Sequence, residues 1–526
     1  MSNCSFYSRL IDTRTDLREG VRCVVAQVEV LRAFRFALDP TADQLAGFNR
    51  NAGAARWAYN HALGEKTAAH RQWRAQVDAL VAGGVPEEKA RKAVKVPIPR
   101  APAIKKRLNA IKGDSRIDPE PPKGFHGPPR PCPWFHEVST YSFQSAFIDA
   151  DQAWTNWMDS RAGRRRGNAV GYPRFKRKGR SRDSFRIHHD VKKPTIRLDG
   201  YRRLRIPSFE STVRLYDSGK RLARLIAKGD AIIQSVTVSR GGNRWYGSVL
   251  AKVIQEIPDK PTHAQVSRGT VGADWGISHL ATLSQPLDPA APAKPPDLLR
   301  PAAHQVANPR HLNAWARQLV KAQRALARTE KGSKRHAKAA RRVAVIQHKI
   351  AQRRATSLHL LTKRLTTGFA TVAIEDLNVR GMSASAKGTV DNPGHRVRQK
   401  AGLNRSILDA APGEVRRQLT YKASWYGSHL AVLDRWYPSS KTCSSCGTTK
   451  PKLSMKERVF HCTTCGLTID RDLNAAINIA RHAVPLVDGD VKARGSPDRP
   501  TDGRLGRAGR RNREGPPSND GSPRRE

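Results

Sequence analysis

Residues 441–480 of the 526-residue chain read KTCSSCGTTKPKLSMKERVFHCTTCGLTIDRDLNAAINIA. Four cysteines in this stretch form two Cys-x-x-Cys pairs, Cys443 with Cys446 and Cys462 with Cys465, separated by 15 residues. Each pair predicts a tight knuckle, and a short hairpin would bring both knuckles to one tetrahedral ion. We predict one structural zinc ion, because four thiolates leave no coordination position open for a substrate. Redox pairs of the thioredoxin type are disfavoured, because neither pair opens a helix in a βαβ pattern.

The same stretch continues into a helix rich in small residues, which would allow close packing against a sheet. Asp472 lies at the entrance to this helix, and only six residues separate it from Cys465. In an alternative interpretation, Asp470 or Asp472 does no more than cap the helix. We expect a zinc ribbon at 439–468 to anchor the helix at 469–483, which carries this acid.

Two further acids occur in apolar strands upstream. Asp274 lies in VGADWGI (271–277), and Glu375 ends the strand in TVAIEDLN (371–378). A strand-end acid alone is weak evidence, but a buried carboxylate is costly unless it is paired or bound to a metal. Together with Asp472, these acids predict a shared site on two strands and a helix, as in an RNase H-like nuclease. Acidic oxygen ligands favour magnesium or manganese, and two such ions about 3.5–4 Å apart serve phosphodiester hydrolysis.

The rest of the chain predicts a multidomain protein of α/β and α+β class. Apolar stripes predict helices at 311–329 and 336–366 that form an antiparallel hairpin inserted in the second half. Short strands in the first half predict a β-barrel-like domain with helices inserted into it. The expected segments are an N-terminal extension (1–29), the barrel start (30–62), a helical lobe (63–165), the barrel remainder (166–265), the core containing Asp274 and Glu375 (266–438, with the hairpin at 311–366), the ribbon, the last helix and a disordered tail (484–526).

The charge balance predicts a polyanionic partner. The chain has 95 Lys and Arg residues against 45 Asp and Glu residues, a formal net charge of +50. Nucleic acid fits this spread of charge, and a solvated basic surface is the alternative. A loop at 171–179 mixes cations with aromatic rings, which suits phosphates and stacked bases as well as it suits a solvated loop. Its candidate contacts are Tyr172, Arg174, Phe175, Lys176, Arg177 and Lys178.

Location and cysteine usage are also constrained. The sequence has neither an apolar run of about 18 residues nor a signal-peptide core, so we expect a cytoplasmic, nucleoid-associated protein with no membrane partner. Seven cysteines are too few for a disulfide scaffold in a chain of this length. Cys4, Cys23 and Cys132 are therefore expected to be free thiols.

Seven motifs in order resemble the TnpB family, the OrfB-type insertion-sequence transposases that are related to type V CRISPR effectors. The resemblance spans about residues 30–482, and the ordered set is far more specific than any single motif. The motifs are DPTADQ (39–44), GYPRFK (171–176), VGADWGI (271–277), EDLN (375–378), YKASWYG (421–427), YPSSKTC (437–443) and DRDLNAA (470–476). Trp275 departs from the smaller aliphatic residue common at its position, which we interpret as a variation in packing.

The resemblance implies a RuvC-like nuclease with an RNase H fold, preceded by a wedge-type β-barrel that carries a helical recognition lobe. It implies that Asp274, Glu375 and Asp472 are the catalytic carboxylates and that Asp470 is a helix-entry neighbour. It also implies a guide RNA from the transposon end, one protein monomer per RNA, and double-stranded target DNA. In such a scheme base pairing reads the sequence while the protein holds the backbone.

Other functions remain open at this point. A nuclease-inactive, RNA-guided DNA-binding repressor would not need three acids beside a polyanion. A transposase that joins DNA strands would need a nucleophile such as a tyrosine with a metal-binding histidine pair, and no HxH motif occurs. A transposase accessory protein would act by DNA binding alone. A zinc-ribbon protein of the transcription or translation apparatus would explain the cysteines but not the upstream motifs.

Overall fold

The computed structural model describes residues 25–111, 133–165, 168–190, 195–242, 244–288, 298–454 and 456–493. Cys4, Cys23 and Cys132 lie outside these ranges, as do most of the predicted terminal segments. Within the described ranges, every helix is too short or too polar to cross a lipid bilayer. Two large sheets organise the chain, one in each half.

The first half contains a seven-stranded antiparallel sheet. Its strands are β1 (Val25–Asp39), β2 (Ser184–His188), β3 (Arg197–Asp199), β4 (Arg203–Arg205), β5 (Val213–Leu215), β6 (Ala231–Gly241) and β7 (Arg244–Pro258), in the spatial order β2-β6-β7-β1-β5-β4-β3. The predicted hairpin is confirmed as β6 and β7, which pair directly as far as Gly241 and Arg244. All other neighbours in the sheet are antiparallel too.

The predicted boundary of the N-terminal extension at residue 29 is wrong. Strand β1 begins at Val25, because β7 continues to Pro258 and supplies a pairing partner for residues 25–29. Val28 also packs against the hydrophobic core of this half. Only 1–24 remain of the predicted extension, and these residues lie outside the described ranges.

Helices are inserted between β1 and β2, and all but the second of them contribute side chains to the same core. They are α1 (Ala42–Ala82), α2 (Glu87–Ala93), α3 (Ala101–Ile111) and α4 (Thr140–Arg161), and a further helix, α5 (Lys220–Ala227), follows β5. Thr41 and Gln44 form a capping box that starts α1. The predicted apolar stripe of α4 is confirmed as core, since all five of its members are buried: Phe143, Phe147, Ala150, Trp154 and Trp157.

The second half is built on a five-stranded mixed sheet, preceded by α6 (His263–Arg268). Its strands are β8 (Thr270–Trp275), β9 (His279–Leu283), β10 (Gln305–Ala307), β11 (Thr371–Glu375) and β12 (His429–Leu433), in the order β10-β9-β8-β11-β12. The first three strands form an antiparallel meander, whereas β11 runs parallel to both β8 and β12. Parallel pairing places the ends of β8 and β11 at one edge of the sheet.

A helical hairpin separates β10 from β11, as predicted. It comprises α7 (His311–Ala314), α8 (Ala316–Ala327) and α9 (Lys334–Gly368), so the predicted first helix at 311–329 is broken at Trp315 and ends two residues early. Its interior includes Ala322, Val343 and Ile346. Between β11 and β12 the chain forms α10 (Val379–Met382), α11 (Val397–Ala410) and α12 (Pro412–Tyr426).

The chain then forms a small hairpin and a long helix. The hairpin pairs β13 (Val459–His461) with β14 (Thr468–Asp470), and α13 (Arg471–Ala493) follows at once. The predicted end of this helix at 483 is wrong, because the backbone stays helical through Ala493. Residues 484–493 still include Leu486, Val487 and Val491, so the apolar content falls later than the predicted boundary. The remainder of the predicted tail, 494–526, lies outside the described residues.

Candidate active site and zinc centre

The four cysteines of the predicted zinc site converge. The Sγ atoms of Cys443 and Cys465 lie 3.6 Å apart, as do those of Cys446 and Cys462. All four sulfur atoms are within 4.8 Å of one another, and no other group of three or more potential metal ligands in the described ranges is so compact. Four thiol sulfurs in one cluster match the donor set of a closed structural zinc site.

Two equivalent turns produce this convergence. The Gly447 amide donates to the Cys443 carbonyl oxygen, and the Gly466 amide donates to the Cys462 carbonyl oxygen, both at 3.0 Å. The two glycines have φ values of +77° and +73°, a region that favours glycine. Burial raises the pKa of the Cys443 thiol to about 11, whereas hydrogen bonding to Thr448 lowers the pKa of the Cys446 thiol to about 6.

The knuckles are joined to α13 by packing and by hydrogen bonds. Leu473 from the first turn of α13 shares a buried cluster with Cys443 and Cys462. The buried Asn474 side chain accepts from the Ser444 amide at 2.9 Å and donates to the Thr442 carbonyl oxygen at 2.7 Å. One turn later, the Asn478 amide donates to the carbonyl oxygens of Ser439 and Thr442, at 2.8 and 2.6 Å. The ribbon therefore fixes the position of α13 along its axis.

Gly272 determines how closely α13 approaches the sheet. A Cβ atom at this position in β8 would overlap the Ala476 carbonyl oxygen and lie 2.5 Å from the Ala480 nitrogen. The backbones of strand and helix are thus in contact, with no room for a side chain between them. This contact lies two residues before Asp274 on the strand and four residues after Asp472 on the helix.

Asp274, Glu375 and Asp472 are brought to the same edge of the sheet. Asp274 is the next-to-last residue of β8, Glu375 is the last residue of β11, and Asp472 is in the first turn of α13. Burial raises the pKa of Asp274 well above its ordinary value, and the negative charges of Glu375 and Asp472 raise it further. The three carboxylates are electrostatically coupled, although they are less tightly gathered than the cysteine sulfurs.

Neighbouring groups orient each of the other two carboxylates. Ser439, on the loop that leads to the first zinc knuckle, donates its hydroxyl to Glu375 Oε1 at 2.5 Å. Arg471 donates from Nε and Nη2 to Asp472 Oδ1, at 3.1 and 2.9 Å. Asp470 caps α13, since its Oδ1 accepts hydrogen bonds from the backbone amides of Asp472 and Leu473.

Three family models match the chain. The model described as "Probable transposase" matches residues 252–386, and that described as "Cas12f1-like, TNB domain" matches 413–479. A third, described as "Helix-turn-helix domain", matches 30–74. In this structure the residues of that third match form strand β1 and most of α1.

Curated relatives match over nearly the whole chain. A protein of Mycobacterium tuberculosis named "Putative RNA-guided DNA endonuclease" is 33% identical over 462 residues, which cover 86% of this chain and 87% of that protein. The chain belongs to the TnpB/OrfB family. "Putative RNA-guided DNA endonuclease InsQ" of Escherichia coli, another relative, is 29% identical over 89% of this chain and 96% of its own length.

Solved structures show a weaker likeness than these relatives. A structure titled "Cryo-EM structure of the Cas12f1-sgRNA-target DNA complex" aligns with 86% of this chain and 99% of its own, with 12% identity and a TM-score of 0.40. A TM-score of that size is too low to establish a shared fold.

Several residues that position the acids in this TnpB/OrfB chain escaped the sequence analysis. They are Gly272, Ser439, Arg471, Asn474 and Asn478. A glycine inside an apolar strand is a recognisable sign of close backbone approach, so Gly272 could have been found. Two asparagines four residues apart on a helix are also a signal, because they lie on one face. Ser439 and Arg471 give no such sign, since their partners are known only from the fold.

In the predicted basic loop, two side chains contact aromatic rings of the helical segment, and the others are exposed to solvent without such a contact. The Tyr172 ring lies 4.7 Å from the Trp157 ring, and the Lys176 ammonium lies 3.9 Å above the Tyr59 ring. Asn60 of α1 also bonds both the amide and the carbonyl of Lys176. These contacts fix the loop to the helical segment. The other four predicted contacts are exposed side chains: Arg174, Phe175, Arg177 and Lys178.

Proposed function

We propose that this chain is an RNA-guided DNA endonuclease whose catalytic residues are Asp274, Glu375 and Asp472. The observation that carries the proposal is the coupling of these three carboxylates at one edge of the sheet, in a chain with a net charge of +50. Acids gathered where a polyanionic substrate must bind are unfavourable unless they serve chemistry. The relatives named as RNA-guided DNA endonucleases support the same activity.

In this proposal the second half is an RNase H-like, RuvC-type nuclease domain at 266–438, with the helical hairpin inserted between β10 and β11. The ribbon at 439–468 and the helix that begins at 469 complete it. The first half would be a wedge barrel formed by 25–62 and 166–265, which carries a helical recognition lobe at 63–165. The order β10-β9-β8-β11-β12, with an antiparallel meander followed by two parallel strands, supports the RNase H-like assignment.

The donor groups fit the metals that this chemistry requires. Carboxylate oxygens are the ligands that magnesium and manganese prefer, and a cation would relieve the repulsion that raises the pKa of Asp274. Asp274, Glu375 and Asp472 would hold two such ions, which when bound supply an activated water and stabilise the leaving oxygen. Ser439 orients Glu375, and Arg471 orients Asp472. The four cysteines would hold a single zinc ion with a structural role.

The partners in this proposal are a guide RNA from the transposon end and a double-stranded DNA target. One protein monomer would bind one RNA, and cleavage would support maintenance of the transposon. Base pairing would select the target, whereas the basic protein surface would hold phosphates without reading sequence. The loop residues Tyr172, Arg174, Phe175, Lys176, Arg177 and Lys178 are the candidates for such contacts.

Cleavage by the purified RNA–protein complex tests this function. The complex is incubated with magnesium and with DNA that matches the sequenced, co-purified RNA. We expect cleavage by the wild type, a loss of at least a thousandfold in Asp274→Ala with DNA binding retained, and no change in Asp78→Ala, which alters an exposed acid on α1. Tight binding of matched DNA without any cleavage by the wild type would contradict the nuclease and favour the repressor.

A further inference from the structure

Trp436 is exposed to a degree that no other tryptophan of this protein approaches. The chain has ten tryptophans, all within the described ranges, and the other nine are buried or half-buried. Trp436 is 84% exposed. An exposed indole forgoes the favourable free energy that burial of a large apolar ring would give, so its position calls for an explanation.

Hydrogen bonds and a ring contact fix the turn that contains Trp436, while the indole itself is exposed to solvent. Asp434 Oδ1 accepts from the Trp436 amide at 2.8 Å, and the Asp434 carbonyl oxygen accepts from the Tyr437 amide at 3.2 Å. The Tyr437 ring stacks on the His482 ring of α13, with centroids 4.1 Å apart and planes 10° apart. The backbone on both sides of Trp436 is thus fixed.

The same turn is attached to the strand that carries Glu375. Arg435 forms an ion pair with Asp376, the residue after Glu375, and Ser439 donates its hydroxyl to Glu375 itself. Trp436 therefore stands on a short arch whose two ends are bonded to consecutive residues at the end of β11. The turn with the exposed ring is thus attached to the strand end that carries Glu375.

The charge around the ring indicates the kind of partner. Arg416 and Arg435 both pair with Asp376, so two guanidinium groups lie at the arch that carries Trp436. A single ring among charged groups does not form the contiguous apolar patch that a protein partner would cover. An aromatic face with cations beside it is the combination that binds a base and its phosphate in single-stranded nucleic acid.

We propose that Trp436 is a stacking platform for an unpaired base of the DNA strand that is cleaved. The proposal rests on the proposed function, and it makes Trp436 a positioning residue that aligns the strand with Glu375 and its partner acids. Because every base has a π-face, the contact would hold the strand without selecting its sequence.

Photo-crosslinking and binding test this platform in the full-length RNA–protein complex. The probe is a single-stranded DNA with the same sequence as the guide segment of the co-purified RNA, so that it cannot pair with that RNA. It carries 5-iodouracil at successive positions, and EDTA prevents cleavage. We expect a crosslink to Trp436, and binding at least fivefold weaker in Trp436→Ala, with most of the affinity kept in Trp436→Phe. Tyr201→Ala, which removes another exposed aromatic ring, should bind as the wild type does.

The outcomes separate this proposal from the proposed function. If Trp436→Ala binds the probe and cleaves duplex DNA as the wild type does, or if the crosslink goes to the RNA, the platform is contradicted even when Asp274→Ala is inactive. If the wild type does not cleave at all, the endonuclease is contradicted whether or not Trp436 crosslinks. An 84% exposed side chain can be removed without unfolding the chain, so a loss of binding in Trp436→Ala reports the lost contact.

Discussion

The four-cysteine cluster and the acidic site lie within a few residues of each other along the chain, yet they are assembled in opposite ways. The four cysteines come from 23 consecutive residues, and two nearly identical turns bring their sulfurs within 4.8 Å. The three acids come from β8, β11 and α13, which span about 200 residues of sequence. Their arrangement depends on how a helix docks against a sheet.

This difference shows what each site needs in order to form. A local site needs only its own turns, whereas a distributed site needs contacts elsewhere to hold its members together. Here those contacts are Gly272 under α13, Asn474 and Asn478 at the ribbon, and Ser439 on Glu375. The ribbon therefore acts on the acidic site through α13 and the 439–444 segment, without contributing a ligand to it.

Among changes outside the three acids, the largest expected effect comes from filling the space at Gly272. Gly272→Val should force α13 away from β8, because even a Cβ atom would overlap the backbone of α13 at Ala476. We expect a destabilisation of about 3 kcal/mol or more and a cleavage rate lowered at least a hundredfold. Thermal unfolding and single-turnover cleavage measure the two effects.

A matched control exists in the first half of the chain. Gly64 lies in α1 with no neighbouring atom within 4 Å of a Cβ, so Gly64→Ala should be neutral or stabilising by up to about 1 kcal/mol. Equal stability and activity of Gly272→Val and the wild type would show that the close approach of α13 is not required.

Loss of one zinc ligand should have the next largest effect. Cys462→Ser should reduce the zinc content from one ion per chain to none, because four thiolates are needed to complete the site. The ribbon would then cease to hold Asn474 and Asn478, and we expect cleavage to fall about tenfold or more. Zinc content by mass spectrometry and cleavage rate are the measurements. Cys132→Ser, outside the ribbon, serves as the control, and unchanged zinc in Cys462→Ser would contradict the four-thiolate site.

A smaller effect should appear in the stability of the metal-free protein. Because the pKa of Asp274 is raised in the folded state, the folded chain retains a proton that the unfolded chain has lost, and stability falls as pH rises through that interval. In EDTA at neutral pH, Asp274→Asn should therefore be more stable than the wild type. The difference should vanish near pH 3, where the carboxyl is protonated in both states. A lower unfolding midpoint for Asp274→Asn at pH 7 would contradict the raised pKa.

The two sites also differ in how far the sequence predicts them. Local patterns predict the convergence of the four cysteines, the burial of the α4 stripe and the pairing of β6 with β7. The structure confirms each of these three features. The start of β1 at Val25 depends on a strand more than 200 residues away, and the break at Trp315 interrupts a continuous apolar stripe. Neither can be read from a local pattern.

The same limit applies to single side chains. The ammonium of Lys176, a predicted nucleic-acid contact, lies over the Tyr59 ring, and only the fold brings these two residues together. The acids themselves were recognisable by their strand and helix contexts, whereas the groups that orient them were not. Ser439 and Arg471 acquire their roles only when the ribbon and α13 are in place.

The central claim is that Asp274, Glu375 and Asp472 act as one site. Single-turnover cleavage rates of Asp274→Asn, Glu375→Gln, Asp472→Asn and the triple variant test it most directly. Residues that act as a unit are strongly non-additive, so we predict that each single variant loses nearly as much activity as the triple variant. A single variant that cleaves at close to the wild-type rate, or losses that simply multiply in the triple variant, would contradict the shared site.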